Sequence, residues 1–232
     1  RYAFGALLPN ILLIQAWGVT DTLTYNYVAW SMSAEWFCYL LLPVIVTAYR
    51  IGGKVGLAVV ALLSISALEW AVAAGIIPFP SWLRADTWGA YRAFADFALG
   101  ALVAIAARDS RWALTSHAPA WICFALSIAA MAMLLSSYMI VGLLALSMFL
   151  AVVAERNNPA GSRLLAPLHP IGKVSLGIYL IHPVIEAIMF AIVWRTLVEP
   201  LGIVGFYTFW LLPILTVIAV AVLSERYFET PL

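Results

Sequence analysis

Glu35 stands inside Trp30-Ser31-Met32-Ser33-Ala34-Glu35-Trp36, at the head of a long apolar stretch. A carboxylate placed in a membrane segment is costly to keep, so by default it marks a functional site. Ser31 and Glu35 are four residues apart and share a helix face. A second constellation lies in Gly172-Lys173-Val174-Ser175-Leu176-Gly177-Ile178-Tyr179-Leu180-Ile181-His182-Pro183. Ser175, Tyr179, His182 and Glu186 follow one another at intervals of four, three and four residues, which places all of them on one helical face. Carboxylate, imidazole and hydroxyl groups are the equipment of general acid–base chemistry and of intramembrane proton paths.

Each cluster also admits a structural reading. Ser31 can be a helix N-cap, Glu35 a first-turn acid favoured by the helix dipole, and the tryptophans part of an interfacial belt. His182 lies about 15 Å along the helix from Gly172, near mid-bilayer. There a neutral histidine bonded to a neighbouring helix is the structural alternative. Pro183 supplies no backbone donor and leaves the Tyr179 carbonyl free, which predicts a kink or a polar pocket. Arg92 and Asp96, again four apart, can neutralise each other. Glu69 at similar depth is a candidate partner for Arg92 or Arg84, and this network reads as structural.

The elements that must carry these residues follow from composition. Of 232 residues, 65% are hydrophobic and 10% charged, and mean hydropathy is +1.02. That balance belongs to a polytopic, all-α membrane bundle. The net charge of +1 and the scattered basic residues exclude a nucleic-acid partner. Cys38 and Cys123 lie in apolar runs and read as small hydrophobes, with no disulfide framework and no metal site.

Seven apolar stretches run near residues 30–49, 55–75, 89–107, 118–136, 138–154, 172–194 and 203–223, and a shorter one at 4–18 reads as a truncated or half helix. With all of them crossing, the chain has about eight spans in one domain, residues 1–232. Arg1, Arg50, Lys54, Arg108, Arg111, Arg156, Arg163, Lys173 and Arg226 then fall on one side and Arg84, Arg92 and Arg195 on the other. The positive-inside rule puts the first group in the cytoplasm and the Trp30–Glu35 cluster at the outer face. His117 and His169 fall in cytoplasmic loops as solvated residues. Residues 1–5 carry neither an initiator Met nor a signal-peptide layout, so the chain reads as beginning partway through a longer protein.

The Trp30-Ser31-x-Ser33-x-Glu35 cluster, continued by Trp36-Phe37-Cys38-Tyr39-Leu40-Leu41-Leu42-Pro43 and with Asn26 ahead of it, resembles the signature of the acyltransferase 3 family of membrane O-acyltransferases. The 172–183 segment is similar to that family's Gly-x-x-Ser-x-x-x-Tyr-Leu-x-His element. Residues 224–231, Ser-x-x-Tyr-x-Glu-x-Pro, resemble its closing element, and Arg92 with Phe97-Ala98-Leu99-Gly100 matches a fourth element loosely.

The resemblance implies about ten spans in a complete domain. It also implies an acyl-CoA donor, often acetyl-CoA, with no metal, and a glycan or glycoside acceptor. The setting it implies is a bacterial inner membrane, with membrane lipid as the surroundings. It marks Glu35 and His182 as catalytic residues in supporting roles, and Asn26, Trp30, Ser31, Ser33, Arg92, Ser175 and Tyr179 as substrate-binding. The family's main catalytic histidine sits on its first helix, and no segment here matches it, so this chain alone is expected to bind without turnover. The competing class is a proton-coupled transporter or flippase, with Glu35, Glu69, Arg92 and His182 along its path. Against it, no paired Gly/Pro-interrupted helices mark inverted repeats.

Overall fold

A computed structural model describes residues 4–83, 87–202 and 204–229; the side chains of residues 160–162, 164, 165, 228 and 229 lie outside the description, as do Arg1 and Arg84. The chain is 77% helical, with no strand among the described residues. Contacts divide it into two compact units, one of residues 1–25 and 30–164 and the other of residues 26–29 and 165–232.

The first unit opens with a 3-10 turn, Phe4–Ala6, and α1, Leu7–Ile11. The 4–18 stretch therefore gives only a short helix, and it stops where Leu13 takes a positive φ of 54°. It does not cross a membrane, and the expected count of about eight spans is reduced by this one. A long helix, α2 (Trp30–Ala73), follows. Gly53 breaks it with φ 56° and ψ −135°, a conformation that favours glycine. The two arms, 30–52 and 54–73, are each long enough for the roughly 20 residues a bilayer core requires.

The arms double back on one another. Ile45 of the first arm packs with Leu57 and Ala61 of the second and with Ala98 of α3 (Gly89–Arg108). At Gly56 the approach is so close that a Cβ would lie 2.1 Å from the Ala48 carbonyl oxygen. The remaining helices of this unit are α4 (Ala118–Ala132) and α5 (Ser137–Asn157). Small residues line the contacts, as membrane helices require when hydrophobicity offers no preference between lipid and protein.

The second unit begins with a 3-10 turn, Tyr27–Ala29. It continues through α6 (His169–Lys173) into α7 (Ser175–Ile188), which runs on as a π-helical segment, Met189–Val198. A short α8 (Phe206–Phe209) leads to α9 (Leu211–Ser224) and a last π-helical turn, Glu225–Glu229. Gly177 of α7 faces Ala221 of α9. Farther along, Phe190 and Trp194 interleave with Phe206 and Phe209, their ring centroids 5.0–5.8 Å apart.

Five helices are long and apolar enough to cross a membrane, the broken α2 among them, and α4 is a shorter apolar helix. With α2 divided at Gly53 they match the seven long stretches of the sequence. Large aliphatic and aromatic side chains such as Leu62, Leu63, Trp70, Ile122, Leu211 and Leu215 stand exposed on their outer faces, as lipid-facing residues do.

Candidate functional site

The head of α2 is held by buried bonds. Ser33 is fully buried, and its Oγ accepts a hydrogen bond from the Ala16 backbone N–H at 3.1 Å. The Trp17 indole N–H donates to the Ser33 carbonyl at 3.0 Å. The same loop reaches α3, where Ala90 N–H donates to Ala16 O at 3.1 Å and the Tyr91 hydroxyl to Trp17 O at 3.2 Å. Trp30 lies flat on Gly89, where a Cβ would come within 2.7 Å of the indole. Trp30 and Ser33 thus fasten the loop 15–18, α2 and α3 together.

Glu35 lies on another side of the helix, exposed on the surface of its unit, and accepts a hydrogen bond from the Tyr39 hydroxyl. Ser31, Glu35 and Tyr39 form one stripe at intervals of four. Tyr39 is a partner of Glu35 that the sequence reading passed over, and its spacing from Glu35 was the signal. Helix α2 begins at Trp30, one residue ahead of Ser31, so Ser31 lies within the first turn and not at the cap.

In the second unit, Asn26 reaches α7: its Nδ2 donates to the Leu180 carbonyl at 3.0 Å across 154 residues of sequence. Its Oδ1 is buried without a hydrogen-bond partner among the described residues. One residue back, the Tyr179 carbonyl that Pro183 deprives of its helical donor lies 2.7 Å from His182 Nδ1. A carbonyl can only accept, so Nδ1 is the donor of this bond, and the tautomer that makes it has its lone pair on Nε2. The Tyr179 and His182 rings lie 5.8 Å apart. Both are half-buried, while Ser175 and Glu186, at the two ends of the stripe, are exposed. The pocket predicted at Pro183 therefore takes the form of a side chain satisfying the freed carbonyl.

Arg92 pairs with Asp96 at 3.4 Å and donates to the Leu83 carbonyl. Glu69 is not its partner. That carboxylate accepts from the Trp82 indole N–H at 2.8 Å and from the Tyr138 hydroxyl, which ties α2 to α5. The sequence pattern could not show this, because aromatic N–H and O–H donors from a loop and a distant helix take the place of a cation.

At the other end of the unit the basic residues are largely committed. Arg108 donates to the Tyr49 hydroxyl at 2.8 Å and to Asp109 at 3.1 Å, and Lys54 pairs with Asp109 at 3.4 Å. The Arg108 hydrogen bond holds the Asp109 carboxyl below the usual carboxylate range, outweighing the upward push of burial with further help from Lys54. Arg156 donates to the carbonyls of Ala107, Arg108 and Trp112 at 3.0, 2.8 and 3.3 Å, satisfying the orphan carbonyls at the end of α3. His117 is not a free solvated residue: its Nε2 lies 3.1 Å from Glu155 Oε2. His169 is exposed at the start of α6.

A family model described as an acyltransferase domain matches residues 2–224. The chain belongs to the acyltransferase 3 family. It is a multi-pass membrane protein of an acyltransferase family. No curated protein and no solved structure matches it. The matched range of the acyltransferase domain includes both constellations, the stripe of α2 and the stripe of α7. No group of three or more potential metal-ligating side chains occurs among the described residues.

Proposed function

We propose that this chain forms part of an O-acyltransferase of a bacterial inner membrane that moves an acyl group, typically acetyl, from acyl-CoA to a hydroxyl of a glycan or glycoside. In that reaction the hydroxyl gives up its proton to a base, its oxygen bonds the thioester carbonyl carbon, and the carbon–sulfur bond breaks to release CoA thiol. The family resemblance assigns proton abstraction to a histidine for which residues 1–232 offer no match. His182 and Glu35 have supporting parts.

The observation that carries the proposal is the Nδ1–H of His182 tied to the Tyr179 carbonyl at Pro183. The bond fixes the ring and its tautomer, and so presents Nε2 as a ready acceptor for a substrate hydroxyl without a reorganisation cost. Asn26 supports this turn of α7 from the side through Leu180. Glu35, paired with Tyr39, offers negative charge that would orient a partner. Arg92 and Glu69, which a proton path would need free, are each engaged by neighbours.

The test measures acyl transfer by the full-length protein in membranes, from radiolabelled acetyl-CoA to the cell's own glycans. His182→Ala is expected to lower transfer at normal abundance, while Ile181→Ala, on a neighbouring face, has little effect. Equal losses that track reduced abundance would make the stripe a packing feature and remove His182 from the chemistry.

A further inference from the structure

The two arms of α2 leave an open, almost wholly apolar groove of about 640 Å³. Its walls include Pro43, Val44, Thr47 and Ile51 from the first arm and Val55 and Val59 from the second. Small residues create it. A Cβ added at Gly52 would meet nothing within 4 Å, whereas Gly56 lets the second arm close against Ala48 at the floor. From the turn to Pro43 the groove runs nine residues of helix, about 13 Å at 1.5 Å per residue. That is close to one leaflet of a hydrocarbon core about 30 Å thick.

No charged residue lines the groove, but a cation neighbours it in the helix. Arg50 lies one residue before Ile51 and three after Thr47, on the flank of the grooved face. It is exposed and has no partner among the described residues. Lys54 is paired with Asp109, which leaves Arg50 as the cation beside the grooved face that is available to a ligand.

We propose that this groove binds one anionic phospholipid, with an acyl chain along the hairpin and the phosphate against Arg50. The volume lies in the range of small-molecule sites, about 300–1,000 Å³. Its depth suits one leaflet, and Arg50 on its flank complements a phosphate at the headgroup level. The inference rests on the hairpin and its membrane setting and is independent of the acyltransferase reading.

Native mass spectrometry of the full-length protein, released from vesicles of equal phosphatidylglycerol and phosphatidylcholine, tests it. The wild type is expected to retain one phosphatidylglycerol with about fivefold preference, the ratio that ~1 kcal/mol from one cation near an anionic lipid corresponds to. Arg50→Gln should bring the two lipids to parity while a lipid is still retained. Gly52→Leu, which fills open space, should lose the lipid while the protein keeps its helical signal and abundance. Retention of phosphatidylglycerol by both variants at the wild-type level would overturn the proposal. So would a wild type without lipid preference, or a groove covered by a second copy and seen as a dimer free of lipid. Should Gly52→Leu fail to fold, Arg50→Gln alone decides, since it alters an exposed side chain.

Discussion

Glu35 accepts a hydrogen bond from the Tyr39 hydroxyl in the first unit, and its charge is the property to test. Glu35→Gln keeps the shape and removes the charge from the hydrogen bond with Tyr39. If that bond tightens only in the transition state, acyl transfer falls roughly ten- to a hundredfold. Tyr39→Phe frees the carboxylate from its donor and should have a smaller effect of the same sign. Both are read as kcat in membranes at matched abundance, and an unchanged rate for Glu35→Gln would take Glu35 out of the mechanism. The polar spacing in each stripe was legible in the sequence because helical periodicity alone brings residues four apart onto one face. The partners were not. Ser33 meets Ala16 and Asn26 meets Leu180 through loop closure and helix packing, which no local pattern encodes.

The hairpin of α2 depends on two glycines with different demands. Gly53 needs its positive φ, and Gly56 needs the absence of a side chain. Gly56→Ala drives a Cβ into the Ala48 carbonyl and should cost about 1–3 kcal/mol, as overpacking does. Gly52→Ala meets open space and should leave thermal unfolding in detergent nearly unchanged. Comparable stability of the two variants would contradict the close approach of the arms. Most helices were legible from hydropathy, since a bilayer admits few alternatives to an apolar helix. The 4–18 stretch failed that test. Its apolar residues do not continue a helix but bend through Leu13 and Gly18 to brace α2 and α3. Hydropathy counts apolar side chains and does not register which backbone groups have found other partners.

At the scale of the molecule, the positive-inside rule predicts that the Arg50–Arg108–Arg156 end faces the cytoplasm and the Trp30–Glu35 end the outside. In a background with Cys38→Ala and Cys123→Ala, a cysteine at Ser81 should react with an impermeant thiol reagent from outside, and one at Ser116 should not. The reverse pattern would invert the orientation and put Glu35 at the inner face. Family membership was legible from three ordered motifs, but the donor and acceptor were not. The part proposed for His182 rests on its Nδ1 contact with the Tyr179 carbonyl, which only the geometry reveals.

The measurement that bears most directly on the account is acyl transfer itself. Membranes containing the full-length protein, given radiolabelled acetyl-CoA, should label glycan hydroxyls with alkali-labile acetyl esters, and His182→Ala should suppress that labelling. No transfer by the wild type to any glycan, with proton-coupled uptake of a polar substrate in its place, would contradict the acyltransferase reading.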